Sequence, residues 1–261
     1  MAGRAGAGAG GPAVAGRRSY DGGDVAVQAR RRDQVTAIAG IVFIALVVAS
    51  FFTPDTPSAD SSTETIAAAL AADRSAHQVS LLLGFVADIA FLVFLTGLWS
   101  RLRRYEGSGG MFSGLFVVAG AVFVATILVS EGLYLALVQG AGAAADEPGV
   151  LRTLVVLDNW VGAATVPAGV AMFLGATMAV LTTRALPAWV GWLSGVTGLL
   201  LVVSLGAVFD DTEEGVLGFA GFGGFLLFLV WVLATSIVLL LRGRRDPSPE
   251  PREPGAAAQA A

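Results

Sequence analysis

The chain has 261 residues, of which 55% are hydrophobic and 14% charged, with a formal net charge of -4. A soluble domain of this length carries roughly a quarter charged residues, so the composition argues against one and points to a lipid bilayer. Cys is absent, which excludes disulfides, thiolate metal sites and cysteine nucleophiles.

Residues 1–33 are rich in Gly, Ala and Arg and hold few large apolar side chains, so a disordered cytoplasmic tail is expected there. The first predicted span, at about 35–52, follows Arg30, Arg31 and Arg32. It is longer than the about 7–15 apolar residues of a signal peptide, and a retained helix is expected. A polar segment with Pro54, Pro57 and Ser58 comes next; within it Ser62-Thr63-Glu64-Thr65, leading into Ile66 and three alanines, predicts a short surface helix ending near Ala72. His77, the one histidine, is expected at the outer mouth of the second span as a cap or solvated side chain.

The second and third predicted spans are 79–99 and 111–138, joined by a tight loop at Gly107–Gly110. The fourth, 154–181, carries Pro167 near its middle, and the lost backbone donor predicts a bend of more than about 20° near residues 163–167. The fifth and sixth are 189–209 and 216–241. Residues 243–261, rich in Pro, Glu and Ala, read as a second disordered cytoplasmic tail. The fold class is therefore all-α, a polytopic bundle of six spans occupying residues 34–242.

Orientation follows from arginine. Arg30–Arg32, Arg101, Arg103, Arg104, Arg184, Arg242, Arg244 and Arg245 place ten arginines on one face, whereas the opposite loops hold two, Arg74 and Arg152. Basic loops stay in the cytoplasm, which predicts both termini inside and location in the plasma (inner) membrane. Trp99, Trp160, Trp189 and Trp192 fall near predicted span ends, where interfacial aromatics sit.

Three ionisable residues lie within the apolar runs: Asp88, Glu131 and Asp158, the last followed by Asn159. Asp88 is nine residues in from Val79, roughly 13 Å deep and close to the midplane. Glu131 and Asp158 lie in the outer part of their spans. An intramembrane carboxylate is costly, so it faces the bundle interior or a wet cavity. No Arg lies within any run to neutralise it. Asp88 is therefore expected to be protonated or hydrogen-bonded to Ser130, Thr126, Asn159 or Thr165, either as a clasp between helices or as a proton or solute site. Gly84, one turn earlier, leaves space for a neighbouring helix or for water.

Small residues form two stripes, Gly191, Gly195 and Gly198 in the fifth span and Gly218, Gly221 and Gly224 in the sixth. Such stripes let backbones approach closely in lipid. Packing within the bundle is expected, and a homo-oligomeric face is the alternative.

No GxSxG elbow, Walker A loop or dinucleotide fingerprint occurs, and one His is too few for bis-histidine haem ligation. The chain is expected not to be an enzyme and to need no cofactor or metal. Nucleic acid is not an expected partner; the cytoplasmic arginines are better matched to anionic lipid headgroups.

Three segments carry a family likeness: Leu98-Trp-Ser-Arg-Leu-Arg-Arg-Tyr-Glu-Gly107, Leu186-Pro-Ala-Trp-Val-Gly-Trp-Leu193, and the run from Trp231 to Leu241 that ends in arginines. Over about residues 35–245 the chain resembles a family of uncharacterised multi-pass membrane proteins common in actinobacteria. Asp158, shortly before Trp160, falls where such proteins often carry an Asp before an aromatic. The resemblance implies topology and no activity. Two functions remain open from the residues: a non-enzymatic structural or accessory membrane protein, and a small-solute or proton-coupled transporter using the intramembrane carboxylates.

Overall fold

The computed structural model describes residues 22–53, 61–107, 109–144, 148–209 and 215–245, and every element among them is helical. In chain order these are α1 (Gly22–Ser50), α2 (Thr63–Ala72), α3 (Arg74–Glu106), α4 (Met111–Ala144), α5 (Pro148–Ala163), α6 (Thr165–Thr183), α7 (Ala188–Ser204), a 3₁₀ turn (Leu205–Val208) and α8 (Val216–Arg245). Six stretches are long and apolar enough to cross a membrane, with α5 and α6 together forming the fourth.

The candidate spans close into a ring. α1 packs on α3, α3 on α4, α4 on α6, α6 on α7, α7 on α8, and α8 returns to α1. The centre of the ring is aromatic. Phe91 and Phe94 of α3, Phe116 of α4, Phe173 of α6 and Phe228 and Trp231 of α8 interlock, largely edge to face. Such pairs add about 0.5–1.5 kcal/mol each beyond area burial. The outside is apolar too: Ile38, Leu82, Ile89, Leu199 and Phe222 are all exposed. Trp160, Trp189 and Trp192 are likewise exposed, as residues of an interfacial belt would be.

Helix α1 begins at Gly22, well before the expected start near residue 35, so residues 22–33 are helical rather than unstructured. Ala26, Gln28, Ala29 and the three arginines are good helix formers that extend a helix already nucleated by the apolar run. The remaining expected tail segments, 1–21 and 246–261, lie outside the described residues. Helix α8 likewise runs on to Arg245.

The fourth span breaks at Ala164, three residues before Pro167. Pro167 has no N–H to give to Ala163, and the Thr165 hydroxyl donates to the Gly162 carbonyl at 2.7 Å, so the ladder is interrupted where expected. Helix α2 forms as its sequence predicts, capped by Ser62, whose Oγ accepts from the Thr65 N–H at 3.2 Å. It is more than a surface helix: Ile66, Ala67 and Leu70 are buried with Leu81, Leu137, Leu151 and Val155, which ties α2 to α3, α4 and α5.

The turn between α3 and α4 is held by its own chemistry. Gly107 and Gly110 adopt positive φ (78° and 52°), open to residues without a Cβ. The Glu106 carboxylate then accepts from the N–H groups of Phe112 and Ser113, both at 2.8 Å, and caps α4.

At the same end, Arg101 is buried and tied to elements far apart in sequence. It pairs with Asp33 of α1, and its Nε donates to the Ala185 carbonyl in the α6–α7 turn at 3.3 Å. Arg242 of α8 donates to the same carbonyl at 3.0 Å. Arginines read from sequence as topology signals thus also join α1, α3, α8 and the α6–α7 turn.

The glycine stripes pack within the chain. A Cβ on Gly191 would meet Leu181 Cδ2 at 2.8 Å and Val180 Cγ1 at 3.0 Å on α6, and one on Gly224 would meet Leu201 Cδ2 at 3.0 Å on α7. Gly195 and Gly221 face ordinary contacts, Thr177 at 3.5 Å and Ser204 at 3.6 Å. Gly218 sits in the first turn of α8. Among the described glycines, the one set nearest to another helix's backbone is Gly175 of α6, outside both stripes, against Phe112 and Phe116 of α4.

Candidate functional site

Opposite the arginine lock, helices α3 and α4 share a polar seam. On α3, His77, Gly84 and Asp88 are spaced by seven and four residues, which places them on one face. On α4, Glu131 and Tyr134 are three apart and share a face in the same way. The antiparallel hairpin brings the two faces together.

The Glu131 carboxylate lies directly over Gly84; a Cβ there would collide with Oε1. The space left by the missing side chain is therefore filled by a carboxylate. One turn further along the same face of α3, Asp88 is 5% exposed. Towards the chain ends of the hairpin, the Tyr134 hydroxyl hydrogen-bonds His77 Nδ1 at 2.8 Å, with the rings edge to face. His77 is buried, 1% exposed, which corrects the expectation of a solvated cap. Its polar partner comes from α4, invisible in the sequence around His77.

Asp88 faces the bundle as expected, yet three of the four hydrogen-bond partners expected for it, Ser130, Thr126 and Thr165, are engaged elsewhere. The Ser130 hydroxyl donates to Asp158 Oδ1 at 3.1 Å, linking α4 to α5. Thr126 donates to its own helix at Val122, and Thr165 to Gly162. Asn159 belongs to α5, and its side chain lies outside the described residues. Asp88 Oδ2 and Glu131 Oε2 are both buried without a hydrogen-bond partner among the described residues. Desolvated, unpaired carboxylate oxygens are costly, and a proton, a cation, a hydrogen-bond donor or water reaching them lowers that cost. Among the described residues the sole ion pair is Asp33–Arg101, at the other end of the bundle.

A cavity of about 340 Å³ adjoins the seam. Its lining is Ser50 from α1, Ser80, Leu81 and Gly84 from α3, Ser130, Glu131 and Tyr134 from α4, and Asp158 from α5. Thr53 adds a hydrogen bond to Ser80 at 3.2 Å beside it. Helix α5, which brings Asp158 to the cavity, packs chiefly on α4 and also on α2. Further along α3, Phe91 and Phe94 are essentially inaccessible, as is Trp231 of α8. The arrangement is a cavity lined by the carboxylates of Glu131 and Asp158 and by hydroxyls, with Asp88 buried one turn beyond Gly84. Among the described residues no three His, Asp or Glu side chains converge as a metal site would require.

The three carboxylates named from sequence thus gather on one side of the bundle. His77, Tyr134, Ser50 and Ser80 were missed as members. A hairpin count held part of the signal: Gly84 is 23 residues before Gly107 and Glu131 is 21 after Gly110, so an antiparallel turn sets them nearly level. Compared with protein-family models, with curated proteins and with solved structures, the chain matches none.

Proposed function

We propose that this chain is a non-enzymatic multi-pass protein of the plasma membrane, with both termini in the cytoplasm, that exchanges protons against a small cationic solute at Asp88 and Glu131. The single observation carrying this reading is the pair of buried oxygens without a hydrogen-bond partner among the described residues, Asp88 Oδ2 and Glu131 Oε2, with Glu131 lining a cavity rich in hydroxyls. A structural clasp would satisfy those oxygens. A site that alternately holds a proton and a cation leaves them free for its ligand. The Ser130–Asp158 bond fits a clasp better, so Asp158 is assigned to holding α5 on α4. A purely structural or accessory role for the whole chain has less support from the seam. The likeness to uncharacterised actinobacterial membrane proteins is compatible with either role.

The test uses the full chain in vesicles carrying an acid-inside pH gradient, challenged with sodium, potassium or the permanently charged choline, with protein-free vesicles as the baseline. Proton–cation exchange collapses the gradient. At least one cation should do so with the wild type and fail with Asp88→Asn and with Glu131→Gln, while both variants keep the wild-type unfolding temperature in detergent. A gradient that none of these cations collapses, or variants that match the wild type, refutes the proposal.

A further inference from the structure

A second feature lies on the opposite, arginine-bearing side, on the outer surface of the α1–α3 pair. A groove of about 790 Å³ runs between the two helices. One end is lined by Gln28, Arg31 and Arg32 of α1, the other by Ile89 and Leu92 of α3, with Thr96 between them. Arg31 and Arg32 are exposed, and the neighbouring acid, Asp33, is engaged by Arg101. Their charge is therefore uncompensated by any ion pair among the described residues. Trp99 lies at the same level, with the Arg103 guanidinium over its ring at 5.4 Å, as at a headgroup boundary.

We propose that this groove is a discrete site for one anionic phospholipid, its phosphate on Arg31 and Arg32 and one acyl chain along Thr96, Leu92 and Ile89. Charge complementarity selects the headgroup, because basic pockets between membrane helices recognise anionic lipid. The length selects the chain. From Ser100 to Ile89 is 11 residues, roughly 16 Å of helix, and half of a hydrocarbon core about 30 Å thick is nearly the same. A soluble phosphate would use the arginine end and leave the apolar end empty. The site is separate from the carboxylate seam and independent of its proposed role.

The test takes the purified full chain in detergent and adds phosphatidylglycerol, phosphatidylcholine or glycerol 3-phosphate. Bound lipid is counted by native mass spectrometry, and unfolding is followed by tryptophan fluorescence. Phosphatidylglycerol should remain as one adduct and raise the unfolding temperature; the other two should do neither. The double variant Arg31→Gln/Arg32→Gln should weaken that adduct by about tenfold or more. Thr96→Trp fills the groove without touching a charge and should weaken it as strongly; Val93→Trp serves if the first filler fails to fold. If both groove-filling variants bind phosphatidylglycerol like the wild type, the arginines act only as a diffuse charged surface and the site is refuted. Equal binding of phosphatidylcholine refutes it as well.

Discussion

Replacing Gly175 by Ala tests how closely α4 and α6 approach, and so how rigidly the helix bearing Glu131 and Tyr134 is held. The new Cβ would lie 2.6 Å from the Phe116 backbone N, 2.9 Å from the Phe112 carbonyl O and 3.0 Å from Phe116 Cα. Favourable non-bonded contacts of carbon lie near about 3.5–4.0 Å, so the shortfall is roughly 0.5–1 Å. No side-chain rotamer can relieve it, because all three atoms are backbone, and the two helices must separate. Overpacking of this kind costs about 1–3 kcal/mol, and this site belongs at the upper end. Ala returns about 1 kcal/mol of helix propensity, leaving a net loss of about 1–2 kcal/mol. For a chain of this size that is a fall of roughly 2–8 °C in unfolding temperature. Gly195→Ala is the control: its nearest neighbour, Thr177 Cγ2, would be at 3.5 Å, so the change should be neutral or stabilising by up to about 1 kcal/mol. Thermal unfolding in detergent, read by tryptophan fluorescence, compares the two, since Trp231 is buried beside Phe116 and Phe173. Gly175→Ala unfolding at or above the wild-type temperature would refute the reasoning. So would an equal loss in Gly195→Ala.

Arg101→Ala should cost about 3–5 kcal/mol in the same assay, because it leaves the Asp33 side chain, 15% exposed, without its counter-charge; a loss below about 1 kcal/mol would show that water or a neighbouring arginine replaces it. Gly84→Ala should separate fold from function. Its Cβ collides only with the end of the flexible Glu131 side chain, so stability should hold within about 1 kcal/mol while the cation-dependent collapse of the pH gradient is lost; retained exchange would show that Glu131 need not sit over Gly84. Reporter fusions after Pro187 and Arg245 should report cytoplasm and fusions at Ser61 and Glu213 the exterior, and one reversed loop would overturn the proposed topology.

The six candidate spans were legible because hydropathy is a local property: a run of about 20 apolar residues identifies itself whatever it packs against. The break in the fourth span was legible for the same reason, since Pro167 removes a donor from its own helix. So was α2, whose Ser62 cap lies three residues from the N–H it accepts. Helix α1 shows where local reading falls short. Its polar first turns bury little by themselves and form a helix as the extension of an apolar segment.

The carboxylates of the candidate site could be picked out singly, because a charge in an apolar run is conspicuous wherever it points. What they face was decided by the rotation and register of each helix about its neighbours. Those depend on close approaches such as Gly175 on Phe116, scattered over the chain and unmarked by any local pattern. The same holds for His77 with Tyr134, 57 residues apart, and for Asp33 with Arg101, 68 apart. From the sequence alone, Arg101 counted as one more basic residue at a span end, and His77 as one more polar residue at a helix mouth. Lipid solvates every apolar face alike, so hydropathy sets which segments enter the bilayer. Shape and polar pairing between helices then decide which polar groups meet, and only the tertiary structure holds that information.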